Sequence, residues 1–144
     1  MITLNKIIDG VCKALSDEFG AGYEIYTEDI KQGLEEPCFS VRLISPSTTQ
    51  FLGKRYYMTN QFCVHYFPKS KTAVNEECFD ITDRLTSCLE YITVDGDLTR
   101  GTEMSSEIVD GVLSFFVNYD MFVVMEQEEE TSMESLTQTT GMKG

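Results

Sequence analysis

One histidine, five cysteines and a surplus of carboxylates are the side chains of this chain with the means to do chemistry. Nucleophilic catalysis needs a Ser, Cys or Thr beside a positioned base. His65 is the sole imidazole, and Cys63 precedes it by two residues inside RYYMTNQFCVHYF, an aromatic and β-branched run that predicts a strand. Two residues apart on a strand is one face, so a Cys63–His65 pair is geometrically possible. Ordinary strand packing explains the same spacing. No GxSxG, HExxH, GxxxxGKS/T or GxGxxG motif is present.

Asp95, Asp97 and Glu103 resemble a carboxylate cluster for a divalent cation, but the calcium-loop spacing, with Gly at its sixth position and Glu at its twelfth, is missing. A tight hairpin turn accounts for Asp95-Gly96-Asp97 as well. Glu35-Glu36 and Glu128-Glu129-Glu130 read as solvated surface, since adjacent exposed carboxylates repel and prefer water. Cys12, Cys38, Cys63, Cys78 and Cys88 are an odd set with no CxxC or zinc-knuckle spacing. They are expected to be reduced and mostly in the core. No catalytic set, metal site or cofactor is expected.

The chain has 144 residues, 42% of them hydrophobic, which suits one domain with one core. Its 24 acidic and 11 basic residues give a net charge of -13, which opposes nucleic-acid backbones and anionic lipid. Tyr56, Tyr57, Phe62, Tyr66 and Phe67 could stack bases, but only Lys54, Arg55, Lys69 and Lys71 lie nearby, and core or interface packing is the simpler reading. No apolar run approaches the roughly 18 residues of a membrane span. The expectation is a soluble, cytosolic product with no membrane partner.

The elements that would position these residues follow from periodicity. Thr3 caps a helix to about Phe19, with Leu4, Ile7, Ile8, Val11, Cys12, Leu15 and Phe19 on one stripe. A short strand is expected over Tyr23–Tyr26, a loop up to Pro37, and a strand over Cys38–Ser45. Ser47, Thr48, Thr49, Gln50, Phe51, Leu52, Gly53 and Lys54 read as a mobile excursion leading into one long antiparallel strand, Arg55–Phe67. A second helix, about Asn75–Leu89, should present Cys78, Phe79, Ile81, Leu85, Cys88 and Leu89 inward, and Glu76, Glu77, Asp80, Asp83 and Arg84 outward.

A hairpin is expected over Tyr91–Val94 and Leu98–Thr102, then a turn at Asp110-Gly111 and one strand over Val112–Met125. The sum is an α+β fold: a mainly antiparallel sheet with two main helices packed on one face. Residues 1–125 form the domain, and 126–144 are expected to be an acidic, flexible tail with few apolar residues, among them Met133 and Leu136.

The segments KQGLEEPCF (Lys31–Phe39), HYFP (His65–Pro68) and EIVDGVLSFFVNY (Glu107–Tyr119), with IIDGV, GKRYYMTNQFCV and DGDLTRGTEMSS in order around them, resemble the tail terminator proteins of long-tailed phages and prophages of Gram-positive bacteria. The resemblance spans nearly the whole chain. It implies a structural protein without catalytic residues, forming a ring, commonly a hexamer, that caps the tail tube, stops its polymerisation and presents the surface joined by the head connector. It further implies assembly in the host cytoplasm and a final place at the neck end of the virion tail.

The residues themselves are compatible with that role. Ring closure needs two different patches that meet, and Ser47–Lys54 is the candidate subunit-interface segment. Glu128, Glu129, Glu130, Met133 and Leu136 are the candidate partner-binding tail, facing the tube protein or the head-closure protein. An acidic channel would let DNA pass without binding. Other readings stay open: another neck protein, such as a head-closure or adaptor protein; a hydrolase using Cys63, His65 and the Asp95–Glu103 carboxylates; and an acidic nucleic-acid mimic.

Overall fold

The computed structural model describes residues 2–28 and 34–125. The first helix, α1 (Leu4–Phe19), starts where expected, with the Thr3 hydroxyl accepting from the Lys6 N–H at 3.2 Å. Its stripe of Ile7, Val11, Leu15 and Phe19 is buried. Gly10 lies on the same side because a side chain will not fit: a Cβ there would stand 2.6 Å from the Thr93 carbonyl oxygen. The helix and the hairpin below it touch backbone to backbone.

A five-stranded sheet carries the core. Its order is β1 (Glu24–Tyr26), β2 (Cys38–Leu43), β5 (Gln61–Phe67), β9 (Val112–Asn118) and β8 (Thr102–Val109), antiparallel except for the β1–β2 pair. Alternation sends Phe39 and Val41, Phe62, Val64 and Tyr66, and Leu113, Phe115 and Val117 to one face. Against it pack α1 and α2 (Val74–Cys88), the latter through Cys78, Ile81 and Leu85. The α+β architecture with an antiparallel sheet and two helices is as expected. The hairpin of β6 (Tyr91–Val94) and β7 (Asp97–Arg100) turns at Asp95-Gly96, both in the left-handed region that a two-residue turn requires.

Three expectations fail for identifiable reasons. The segment Ser47–Leu52 is a strand, β3, and not an excursion; Gly53-Lys54 is a two-residue turn into β4 (Arg55–Thr59). Thr48, Thr49 and Phe51 favour extended backbone, and the Ser47 and Thr59 hydroxyls meet across the pair at 2.6 Å.

The two long strands both break. Arg55–Phe67 divides at Asn60, and Val112–Met125 divides at Tyr119-Asp120, so that β4 and β10 (Met121–Val124) leave the main sheet and pair with each other. Asn60 is fully buried there, its N–H bonded to the Asp120 carboxylate and its carboxamide to the Tyr119 carbonyl. The order β10-β4-β3 makes a small second sheet.

The third miss is β8, where only a turn was expected. Its Glu103, Ser105, Ser106 and Glu107 hide the strand signal, because an edge strand needs few apolar contacts. Two side chains of α2 also reverse: Phe79 is 60% exposed, while Glu77 turns inward.

Candidate assembly surface

The small sheet has one covered face and one open face. Met58 and Val123 are buried in the core, and Tyr56 packs beside them. By alternation and register, Arg55, Tyr57, Phe122 and Val124 lie on the opposite face, with Phe51 at the bulge between Gln50 and Leu52. There the Phe122 ring stands 4.8 Å from Tyr57 and 5.2 Å from Phe51. The Arg55 guanidinium lies 5.4 Å from Phe122 and 6.0 Å from Phe51. The result is a built cluster of aromatic rings under one cation, open to solvent: Phe51 is 59% exposed and Phe122 51%.

Beside this face runs an open strand edge. Every residue of β3 is exposed, and STTQFL has no charge, proline or inward-pointing ion to protect it. The other long edge, β8, is protected: it carries Glu103 and Glu107, and its register shifts between Thr102 and Ser105 around Glu103 in the left-handed region. An unprotected edge next to exposed rings is suited to a protein contact.

Charge singles out the same region. The chain has 24 acidic residues, yet none falls between Pro37 and Asn75, and the small sheet with its turn holds Lys54 and Arg55 but no carboxylate. It is a cationic, aromatic projection on an acidic body. The sequence contained this signal, because the acid-free interval is visible by inspection. What it could not reveal is that Phe122, far along the chain, completes the cluster.

The other candidate residues do not assemble into a site. Cys63 Sγ lies 3.6 Å from His65 Nε2, on the sheet face away from the helices, as alternation requires. Burial pushes the Cys63 thiol up, against smaller opposing effects of Ser114 and Arg42, and burial with the Arg42 charge pushes His65 down. A catalytic pair needs the reverse, a thiolate beside an imidazolium.

Asp95 sits in the β6–β7 turn and pairs with Lys6 at 3.4 Å. Among the described residues no group of three potential ligands is positioned for a metal, so Asp95, Asp97 and Glu103 remain separate. Glu36 pairs with Lys71 at 2.6 Å. The aromatic run divides: Phe62 and Tyr66 enter the core, and only Tyr57 joins the open face. All five cysteines are free thiols, with Cys38, Cys63 and Cys78 buried. Burial, then Glu36 and Glu24, pushes Cys38 up to about 11, and burial above all pushes Cys88 up to about 12. Glu128, Glu129, Glu130, Met133 and Leu136 lie outside the described residues. No described helix is long and apolar enough to cross a membrane.

The fold is a helix-backed antiparallel sheet carrying a small second sheet with one face packed on the core and one face open. The sequence profile of the family described as phage tail terminator protein matches residues 6–132, and the chain belongs to that family. No curated protein matches the sequence.

Among solved structures, the sheath/tube terminator of PVC, an extracellular contractile injection system, seen by cryo-EM in its extended state, aligns over 99% of this chain at 10% identity with a TM-score of 0.51. This chain spans 64% of that protein, and the likeness is one of fold. Another solved structure aligns over 90% of this chain and all of its own length at 14% identity, with a TM-score of 0.49, too low to bear on function.

Proposed function

We propose that this protein ends tail-tube growth by assembling as a ring, a hexamer as the resemblance implies, on the open end of the tube. The far side of the ring then receives the head-closure or connector protein. Family membership supplies the role, and the observation that best supports self-assembly is the open face of the small sheet with its unprotected β3 edge. Phe51, Leu52 and Phe122 are half to two-thirds exposed, so covering what remains of each is worth roughly 1–2 kcal/mol before the costs of association.

In this reading Ser47–Lys54 lies at a subunit contact, and residues 128–136 engage the tube or connector. The acidic body lines a channel through which DNA slides without specific binding. Assembly takes place in the host cytoplasm, and the finished ring sits at the neck end of the virion tail.

The test is polymerisation of the cognate tail-tube protein with and without the purified chain, followed by electron microscopy. Shorter tubes bearing a ring at one end are expected. Unchanged tube lengths and bare ends would overturn the proposal.

A further inference from the structure

The small sheet has a vacant strand position at its β3 edge, and the chain carries a segment that can reach it. Within the sheet β3 runs toward the Gly53-Lys54 turn, β4 runs back, and β10 runs toward the turn again. The Met125 N–H then donates to the Lys54 carbonyl at 2.9 Å, so the chain leaves the small sheet beside that turn. Residues 126–144 follow.

Their charge complements what lies next to them. Glu126, Glu128, Glu129 and Glu130 come directly after Met125, and the one base of the segment is Lys143. The turn and the start of β4 present Lys54 and Arg55, and the small sheet has no carboxylate of its own to neutralise them. Acids on so short a link meet those two cations at a high effective concentration.

Length and direction fit the open edge. Neighbouring strands lie about 4.8 Å apart, so the position beyond β3 is three spacings, roughly 14 Å, from β10. Residues 126–130 reach roughly 17 Å at about 3.3 Å each. A chain that crosses the turn there must run back away from it, antiparallel to β3. Thr131–Leu136 then faces Ser47–Leu52.

Neither proline nor glycine occurs between Glu126 and Thr140, so nothing interrupts the hydrogen bonds of a strand. The resulting spatial order, with the new strand beside β3, then β4 and β10, is that of a Greek key, in which the last strand returns to lie beside the first. The family match itself runs on to residue 132, into this segment.

We infer that residues 131–136 add a fourth strand to the β3 edge of their own small sheet, with Glu126, Glu128, Glu129 and Glu130 held across the turn by Lys54 and Arg55. The edge is thereby closed within one chain. The face of Phe51, Arg55, Tyr57 and Phe122 stays open, and it is the part of the small sheet left for a neighbouring copy. This goes beyond the ring proposed above and does not rest on it.

Hydrogen exchange on the full-length chain tests it, at concentrations low enough to keep the chain monomeric. A bare edge leaves the outward amides of β3 open to solvent, and an added strand closes them. Ser132→Pro with Ser135→Pro removes two donors of opposite parity, so one of them faces β3 in either register while every charge is kept. The outward amides of Ser47–Leu52 are expected to exchange slowly in the parent and about tenfold faster or more in this variant, with α1 and β5 unchanged. Glu128→Gln, Glu129→Gln and Glu130→Gln together are expected to speed the same amides, as is added salt.

Equal exchange in the parent and the proline variant would overturn the inference and leave the tube-length test untouched. Protection that arises only as copies associate would overturn it too, because the edge would then be paired with a second copy. Should the prolines disturb α1 or β5, the glutamine variant carries the same comparison, and β3 amides that it leaves as slow as in the parent refute the hold of Lys54 and Arg55.

Discussion

Asn60 and Tyr119 clasp each other where two strands leave the main sheet together. The Asn60 carboxamide donates to the Tyr119 carbonyl at 2.9 Å, and the Tyr119 N–H donates to the Asn60 carbonyl at 2.8 Å. This reciprocal pair is one tie between the small sheet and the body, beside the burial of Met58 and Val123 in the main core. Asn60→Ala leaves a buried carbonyl without its donor and is expected to cost about 1–3 kcal/mol. Hydrogen exchange should quicken in β4 and β10 while β5 and β9 stay protected. Uniform loss of protection would show that the junction does not act locally.

The Tyr119 hydroxyl continues inward to the Leu89 carbonyl, which it meets at 2.6 Å. That carbonyl is crowded: a Cβ on Gly101 would stand 2.6 Å from its oxygen and 2.8 Å from Val117 Cγ2. Tyr119→Phe should cost about 1–3 kcal/mol through the orphaned carbonyl. Gly101→Ala should cost a similar amount, about 1–3 kcal/mol, through overpacking. Because both act on the same oxygen, the double variant should lose less than the sum. Chemical denaturation checks all three, and strict additivity would refute the shared mechanism.

Glu77 closes the segment after Pro68 onto α2. Its carboxylate accepts from the Tyr66 hydroxyl at 2.5 Å, the Lys69 N–H at 2.8 Å and the Ser70 N–H at 2.9 Å. Burial acts to raise its pKa, but these donors together with the Lys69 charge outweigh it, and the folded carboxyl lies below its usual value. A depressed carboxyl stabilises the fold above the unfolded pKa, roughly 4.3, and that contribution disappears as pH falls through the lower folded value. Glu77→Gln should therefore be less stable than the parent at pH 7 and approach it by about pH 3. A constant difference across that range would exclude titration of Glu77 as its source.

The elements with one uninterrupted period were legible in sequence, and those whose partners change midway were not. The α1 stripe and the Asp95-Gly96 turn are local patterns, and the structure reproduces them. Nothing in RYYMTNQFCVHYF marks Asn60 as the point where the strand changes sheets, because propensity is continuous across it and the break is set by Asp120 and Tyr119, some sixty residues away. Glu77 looked like solvent-facing helix surface for the same reason, since its partners Tyr66, Lys69 and Ser70 lie outside the helix. The exposure of Ser47–Lys54 is legible in its polar composition, though not its strand conformation, and the aromatic face beside it required Phe122 from the far end of the domain.

His65 and Cys63 give the last prediction, because they separate a structural pair from a catalytic one. Burial, with the Arg42 charge adding to it, holds His65 below its ordinary value, so the folded state favours neutral imidazole. The unfolded chain binds that proton more readily, near pH 6.5. Stability must then fall as pH drops below that value, in a window above the one in which Glu77 titrates.

His65→Gln removes the titration. Its stability should be flat from pH 7 to about pH 5, where the parent declines. Since the Cys63 thiol is buried and pushed up, iodoacetamide should modify it slowly at neutral pH in parent and variant alike. Tube-length control by the variant should match that of the parent. Rapid alkylation of Cys63 that His65→Gln abolishes would instead reveal an activated thiol, and with it a chemistry that packing alone does not require.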